Sequence, residues 1–183
     1  MYKKRRLSDL PFFETVQEIL SHYSRPSTCP AICCKMTDIN LDEKDLEILG
    51  RASKYKADQI KYCNYDGEYQ YKIPPPCPFL ETDKCSVYDW RPTMCRMFPF
   101  NVCNKPDLLL LFPCDMGTCI FEDYIEYSDK VLRKPPPSET IESFKQSHDS
   151  FLMKLSEGLP IPMLAFKIDS LLPFKEYLRL RLE

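Results

Sequence analysis

Ten cysteines, at positions 29, 33, 34, 63, 77, 85, 95, 103, 114 and 119, are the residues of this 183-residue chain best equipped for chemistry. A thiolate is a nucleophile and a soft ligand for zinc, iron and iron–sulfur clusters, whereas disulfides persist chiefly in oxidising compartments. Compartment therefore decides how the cysteines are read. The opening Met1-Tyr2-Lys3-Lys4-Arg5-Arg6 has the charge of a signal-peptide n-region, but Ser8, Asp9, Glu14, Gln17 and Glu18 break any apolar run behind it. The longest apolar stretch, Leu108 to Pro113, is far shorter than the roughly 20 residues of a membrane helix. A cytoplasmic protein without a membrane partner is expected, and in a reducing cytosol cysteines serve as metal ligands or redox centres more often than as disulfides.

The cysteines fall into groups. Cys29-Pro30-Ala31-Ile32-Cys33-Cys34 is the densest, a turn able to aim two or three thiolates at one point. Adjacent cysteines such as Cys33 and Cys34 seldom bond to each other without strain, so ligation is the easier use for them. The second group runs from Cys77 through Cys85 to Cys95 and supplies three more thiols without a long linker. Four thiolates around Zn(II) leave a surplus of roughly two negative charges, which nearby cations and amide donors must offset. Arg91 and Arg96 are placed for that role, with solvated pairs to Asp83 or Asp89 as the plainer use of the same side chains. Cys29 enters the ligand set on spacing alone. Cys63, Cys103 and Cys119 suit small buried hydrophobes equally well.

Spacing excludes several familiar sites. The chain has no Cys-x-x-Cys pair, which disfavours a zinc ribbon or finger, and neither ferredoxin spacing is present. It also lacks a Gly-rich phosphate loop, a Gly-x-Ser-x-Gly elbow and a His-Glu-x-x-His motif. His22 and His148 fall in helical segments away from the cysteine groups, where packing or surface roles are the ordinary ones. With 25 basic and 27 acidic residues the formal net charge is -2, so no general attraction for nucleic acid or anionic lipid is expected.

Several of these features together resemble the CxxCxxCC family, known as a zinc- or iron-chelating domain and often labelled Fe–S oxidoreductases. They are the Cys33-Cys34 pair followed by Thr37 and an acidic helix, then Cys77-x-Phe79-Leu80, then Cys85-x-x-Tyr88-x-x-Arg91-Pro92-x-x-Cys95-Arg96-x-Phe98-Pro99, and a Leu-rich strand leading to Cys114 and Gly117. The resemblance spans residues 29–119. It implies metal-ligand status for Cys33, Cys34, Cys77, Cys85, Cys95 and Cys114. The chain departs from the family name at two steps before the Cys pair, where Ser27 and Pro30 stand and Cys29 lies between them. The resemblance extends to cluster-bearing flagellin lysine N-methylases, so it implies an Fe–S oxidoreductase or a methyltransferase-like activity. The alternative it leaves is a zinc-binding structural or interaction module. A redox or protein partner would follow from either reading, and a disulfide scaffold is a third reading favoured only by the even cysteine count.

The elements that must position these thiols are legible in part. Ser8 or Asp9 as cap, Pro11 near the first position, and Phe12, Val16, Ile19, Leu20 and Tyr23 at helical spacing predict a helix over 11–23. Asn40 with Glu43 forms a capping-box pattern ahead of Leu41, Leu46, Leu49, Ala52 and Tyr55, predicting a helix over 41–56. Asp66-Gly67 between aromatic-rich arms predicts a hairpin over 62–73. Pro74-Pro75-Pro76 then leads stiffly into Cys77, and 77–103 reads as loops and short turns. Leu108 to Phe112 fits a buried strand. Ser138 caps a helix ending near Gly158, with Ile141, Phe144, Phe151, Leu152 and Leu155 on one face, and Leu171 to Leu182 packs back on the body. With 4 Gly against 17 Pro the loops are stiff. The expectation is one small, loop-rich α+β domain, in which helices flank a cysteine core at 29–119 carrying a short β-hairpin, with a helical region at 138–183.

Overall fold

The computed structural model describes residues 9–23, 31–52, 60–65, 68–102, 107–157, 161 and 163–182. It is a mixed structure of helices and short antiparallel strands, as the α+β expectation has it. Two compact units share the chain: Met1–Leu10 with Cys29–Arg96, and Pro11–Thr28 with Met97–Glu183.

The first unit is built around a three-stranded sheet of order β1-β3-β2, from β1 (Ile39–Leu41), β2 (Lys61–Tyr65) and β3 (Glu68–Ile73). Tyr65 pairs with Glu68 across the two-residue connection, so the predicted hairpin forms; Asp66 and Gly67 themselves lie outside the described residues. β1 pairs antiparallel with β3, Ile39 opposite Ile73 and Leu41 opposite Tyr71, and its alternation puts Ile39 and Leu41 inside and Asn40 outside. α2 (Ile32–Met36) precedes this strand and α3 (Glu43–Ala52) follows it. The predicted helix over 41–56 therefore starts two residues late, because Leu41 is taken by the sheet; residues 53–59 lie outside the described set. The cap also differs from the expected Asn40–Glu43 pair. The Asp45 amide donates to Asp42 Oδ1 at 2.8 Å and the Asp42 amide donates back to Asp45 Oδ2 at 3.3 Å, an Asp version of the capping box shifted by two residues. A second, two-stranded hairpin joins β4 (Leu80–Glu81) to β5 (Lys84–Cys85), and a 3-10 turn at Tyr88–Trp90 leads to α4 (Thr93–Met97). Ile39, Leu41, Leu49, Ile73, Cys77, Phe79 and Val87 form the buried core of this unit. Removing a large apolar side chain of this kind from water is worth about 1.5–3 kcal/mol.

The second unit has its own sheet, of order β6-β7-β8, from β6 (Phe100–Val102), β7 (Leu108–Leu111) and β8 (Leu164–Lys167). The Leu run is the central strand, as its apolar character predicts, with Leu109 and Leu111 fully buried. α1 (Phe13–Ser21) matches the first predicted helix, α6 (Ser138–Ser156) the one opened at Ser138, and α7 (Leu171–Leu182) the C-terminal segment. α7 buries Leu171, Phe174 and Leu178, one helical face, and α1 lies against it. α5 (Asp115–Lys130) was not anticipated: its acidic and aromatic residues hide the periodicity of Ile120, Phe121, Tyr124 and Tyr127. Those aromatics carry much of the core, with Tyr124 4.3 Å from Phe166 and Phe121 4.4 Å from Phe144 between ring centroids. Among the described residues no helix is long and apolar enough to cross a membrane.

Candidate metal centre

The first unit gathers four of the predicted ligands. Cys34 sits on α2, a single helical turn that Ala31 opens in the left-handed conformation, and the Cys34 amide closes onto the Ala31 carbonyl at 2.9 Å. Cys77 follows the proline triplet, and its amide donates to the Cys34 carbonyl at 2.7 Å, so backbone hydrogen bonding joins the two cysteine groups directly. Cys85 stands on β5 opposite Leu80, held by the tight β4–β5 hairpin. Both connecting residues, Thr82 and Asp83, have positive φ (47° and 63°), the twist a two-residue hairpin demands and a strained one for a β-branched threonine. Lys35 on α2 reaches Asp83 on this turn at 2.6 Å; the pair is solvent-exposed and adds register more than stability. Cys95 is the third residue of α4.

The other three thiols bear on Cys95 electrostatically. Burial pushes the Cys95 thiol well above its ordinary value, and the charges of Cys34, Cys77 and Cys85 push it further, while Arg91 pulls it down. Cys77 is only 8% exposed within the core, and Cys34, Cys85 and Cys95 pack against that core beside it. Among the described residues no three Cys, His, Asp or Glu side chains are yet drawn close enough to clasp an ion. What the four share is a place on one apolar core, Cys77 inside it and Cys34, Cys85 and Cys95 packed against it. As a donor set, four thiols in an apolar pocket fit either tetrahedral zinc or an iron–sulfur cluster.

Arg91 acts on Cys95 electrostatically, lowering its pKa. Its Nε donates to the Tyr88 carbonyl at 2.9 Å and its guanidinium lies 3.6 Å above the Tyr88 ring, which fixes the charge on the Cys95 side of the 3-10 turn. Arg96 follows Cys95 on α4, half-buried, its amide donating to the Pro92 carbonyl at 3.0 Å. Asp83, one of the alternative partners for these arginines, is engaged by Lys35.

The remaining cysteines are distributed differently. Cys33 Sγ lies 4.0 Å from Cys34 Sγ, a thiol–thiol contact and far beyond the roughly 2 Å of a disulfide. Cys114 is in the second unit, at the N-cap of α5, followed by Gly117, where any Cβ would stand 1.9 Å from the Phe112 carbonyl oxygen. Cys119 is exposed on the same helix. His148 on α6 faces Asp115, the residue after Cys114, at 3.1 Å, nearer a cysteine than its sequence position suggests. Cys29 and Cys103 lie outside the described residues, as does the side chain of Cys63. Sequence reasoning missed Asp45. This carboxylate, only 3% exposed, accepts hydrogen bonds from both the amide and the hydroxyl of Thr93, each 2.8 Å long. Nothing in its local sequence marks it, because its partner is 48 residues away.

Fold and site together define a small α+β protein in which Cys34, Cys77, Cys85 and Cys95 border one apolar core. A family model with the description "CxxCxxCC: Putative zinc- or iron-chelating domain" matches residues 25–129, more than half of the chain, and the chain belongs to that family. Metal binding through the cysteines is the property this membership supports. Comparison with the curated proteins finds no match, and comparison with the solved structures finds none.

Proposed function

We propose that Cys34, Cys77, Cys85 and Cys95 hold an iron–sulfur cluster and that the chain is a redox protein of a reducing compartment such as the cytoplasm. The observation that carries this reading is that four thiols, from α2, the segment after the proline triplet, β5 and α4, border one apolar core, with the charges of three of them bearing on Cys95. Four cysteines are the usual complement of a [4Fe–4S] centre, and burial against Phe79, Val87 and Leu41 limits the water access that governs its potential. When bound, the cluster would supply one-electron chemistry. The chain's own residues would supply the rest: the four thiols hold the group, Arg91 offsets its negative charge from the Tyr88 ring, and the core excludes solvent. A protein redox partner follows from this reading, and the methyltransferase-like activity implied by the family resemblance finds no further support in these side chains.

Zinc is the second reading, and a specific observation favours it. The ligands sit on elements of five residues or fewer, α2, β5 and α4, which cannot hold themselves in place, and a structural zinc would tie such pieces together. Anaerobic purification from iron-replete cells, followed by iron, zinc and sulfide analysis with an absorption spectrum, separates the two. The expected result is a brown protein with about four iron atoms per chain. Stoichiometric zinc without iron would replace the cluster with a structural site, and neither metal in wild type would end both readings. Cys95→Ser is expected to lose the metal, while Cys119→Ser, exposed on α5 of the second unit, is expected to keep it.

A further inference from the structure

The helix that carries Cys95 is capped from outside itself. α4 is five residues long, and its first intrahelical bond runs from the Arg96 amide to the Pro92 carbonyl, so Pro92 occupies the N-cap position. Thr93 is the first residue of the helix, where a backbone amide has no intrahelical acceptor. Asp45 Oδ1, from α3, takes both that amide and the Thr93 hydroxyl at 2.8 Å. The same carboxylate accepts the Asp42 amide through Oδ2, so it is fixed at both oxygens. A carboxylate buried to this degree is costly unless its lone pairs are filled, and three donors fill them here. The cost of its burial is visible in its raised pKa, with burial the largest cause and the Thr93 bonds opposing it.

On the thiolate-site reading above, we infer that Asp45 is a positioning residue of that site: it pins the start of α4 to α3 and so sets where Cys95 stands relative to Cys34, Cys77 and Cys85. Its side chain bonds to Thr93 and to the Asp42 amide. Its effect passes through Thr93, two residues before Cys95, on a helix of one turn that is too short to hold its own azimuth. Loss of such a partner loosens a metal site without removing a ligand, which separates it from a cysteine substitution.

The test uses the full-length reduced, metal-free chain titrated with Co(II) alone, whose absorption under thiolate coordination reports both occupancy and geometry. Asp45→Ala and Thr93→Val are expected to weaken Co(II) binding roughly 10- to 100-fold and to alter the ligand-field bands, with far-UV circular dichroism unchanged. Asp42→Ala removes the reciprocal cap of α3 and leaves both Thr93 bonds, and it is expected to bind Co(II) as wild type does. Equal weakening in Asp42→Ala and Thr93→Val would assign the effect to α3 stability and overturn the proposal. Undiminished binding in Thr93→Val would overturn it too, and this pair of variants decides the matter should Asp45→Ala fail to fold. Wild-type protein that takes up no Co(II) would remove the thiolate site and this inference with it, whereas uptake by wild type and all variants alike removes only the inference.

Discussion

Among single residues, Gly117 has the clearest steric role. Alanine would normally gain about 1 kcal/mol over glycine inside a helix. Here the added Cβ would stand 1.9 Å from the Phe112 carbonyl oxygen and 3.1 Å from its carbon, both backbone atoms that move only with β7 and α5. Overpacking of this kind costs about 1–3 kcal/mol, and a contact so short belongs at the upper end. Gly117→Ala is therefore expected to destabilise the protein by about 1–2 kcal/mol net and to lower the melting temperature by several degrees in a thermal scan. An unchanged melting temperature would mean that the strand-to-helix junction before α5 is softer than this approach implies. The glycine is part of the family-like pattern with Cys114, so its packing role also explains why that cysteine meets a helix start where it does.

At the scale of elements, three helices of the second unit are clasped through one carboxylate. The Tyr23 hydroxyl, just beyond α1, donates to Asp123 Oδ2 on α5 at 2.8 Å, and Arg181 of α7 binds Asp123 Oδ1. Burial, then the hydrogen bond to Asp123, then the Asp123 charge raise the Tyr23 pKa well above the ordinary tyrosine value. The folded state thus favours the un-ionised phenol. Its contribution is fully present below the unfolded pKa of about 10 and is lost as pH rises through the folded one. Denaturant unfolding between pH 7 and 11 is expected to show stability falling at the alkaline end. Tyr23→Phe should be less stable at neutral pH by about 0.5–1.5 kcal/mol and should show a shallower alkaline loss. A slope identical to wild type would place the titrating group elsewhere.

For the whole molecule, the division into two units gives metal removal a regional signature. The second unit has four helices with buried faces among its described residues, a Leu-rich central strand and an aromatic core of its own. The first rests on a smaller core whose rim is made of cysteines on short elements. Chelation of the proposed metal is expected to raise amide exchange in β4, β5 and α4, with β7 and α5 remaining protected, because a bound metal stabilises only the state that forms its site. Exchange rising equally in both sheets would show a single cooperative structure. Unchanged exchange on chelation would show that the thiol cluster folds without a metal.

The sequence by itself determined the local elements whose signals are local: the first helix, the Asp-Gly hairpin, the Leu strand, the helix from Ser138 and the thiol chemistry. Each rests on periodicity or turn residues within a dozen positions, where propensity and patterning act. It misplaced the cap of α3 by two residues because sheet pairing with β3 claimed Leu41, and it passed over α5 because polar residues interrupt its apolar face. The tertiary structure alone shows which cysteines share a core. Ten thiols spread over 29–119 offer many groupings, and the Cys77–Cys34 backbone bond and the core that Cys34, Cys77, Cys85 and Cys95 border are visible only in three dimensions. Asp45 belongs to the same class of fact, since a buried carboxylate capping a helix 48 residues away leaves no trace in local spacing. Contacts between distant segments form only because burial of both partners stabilises them together, and that pairing is encoded by the whole core rather than by any motif.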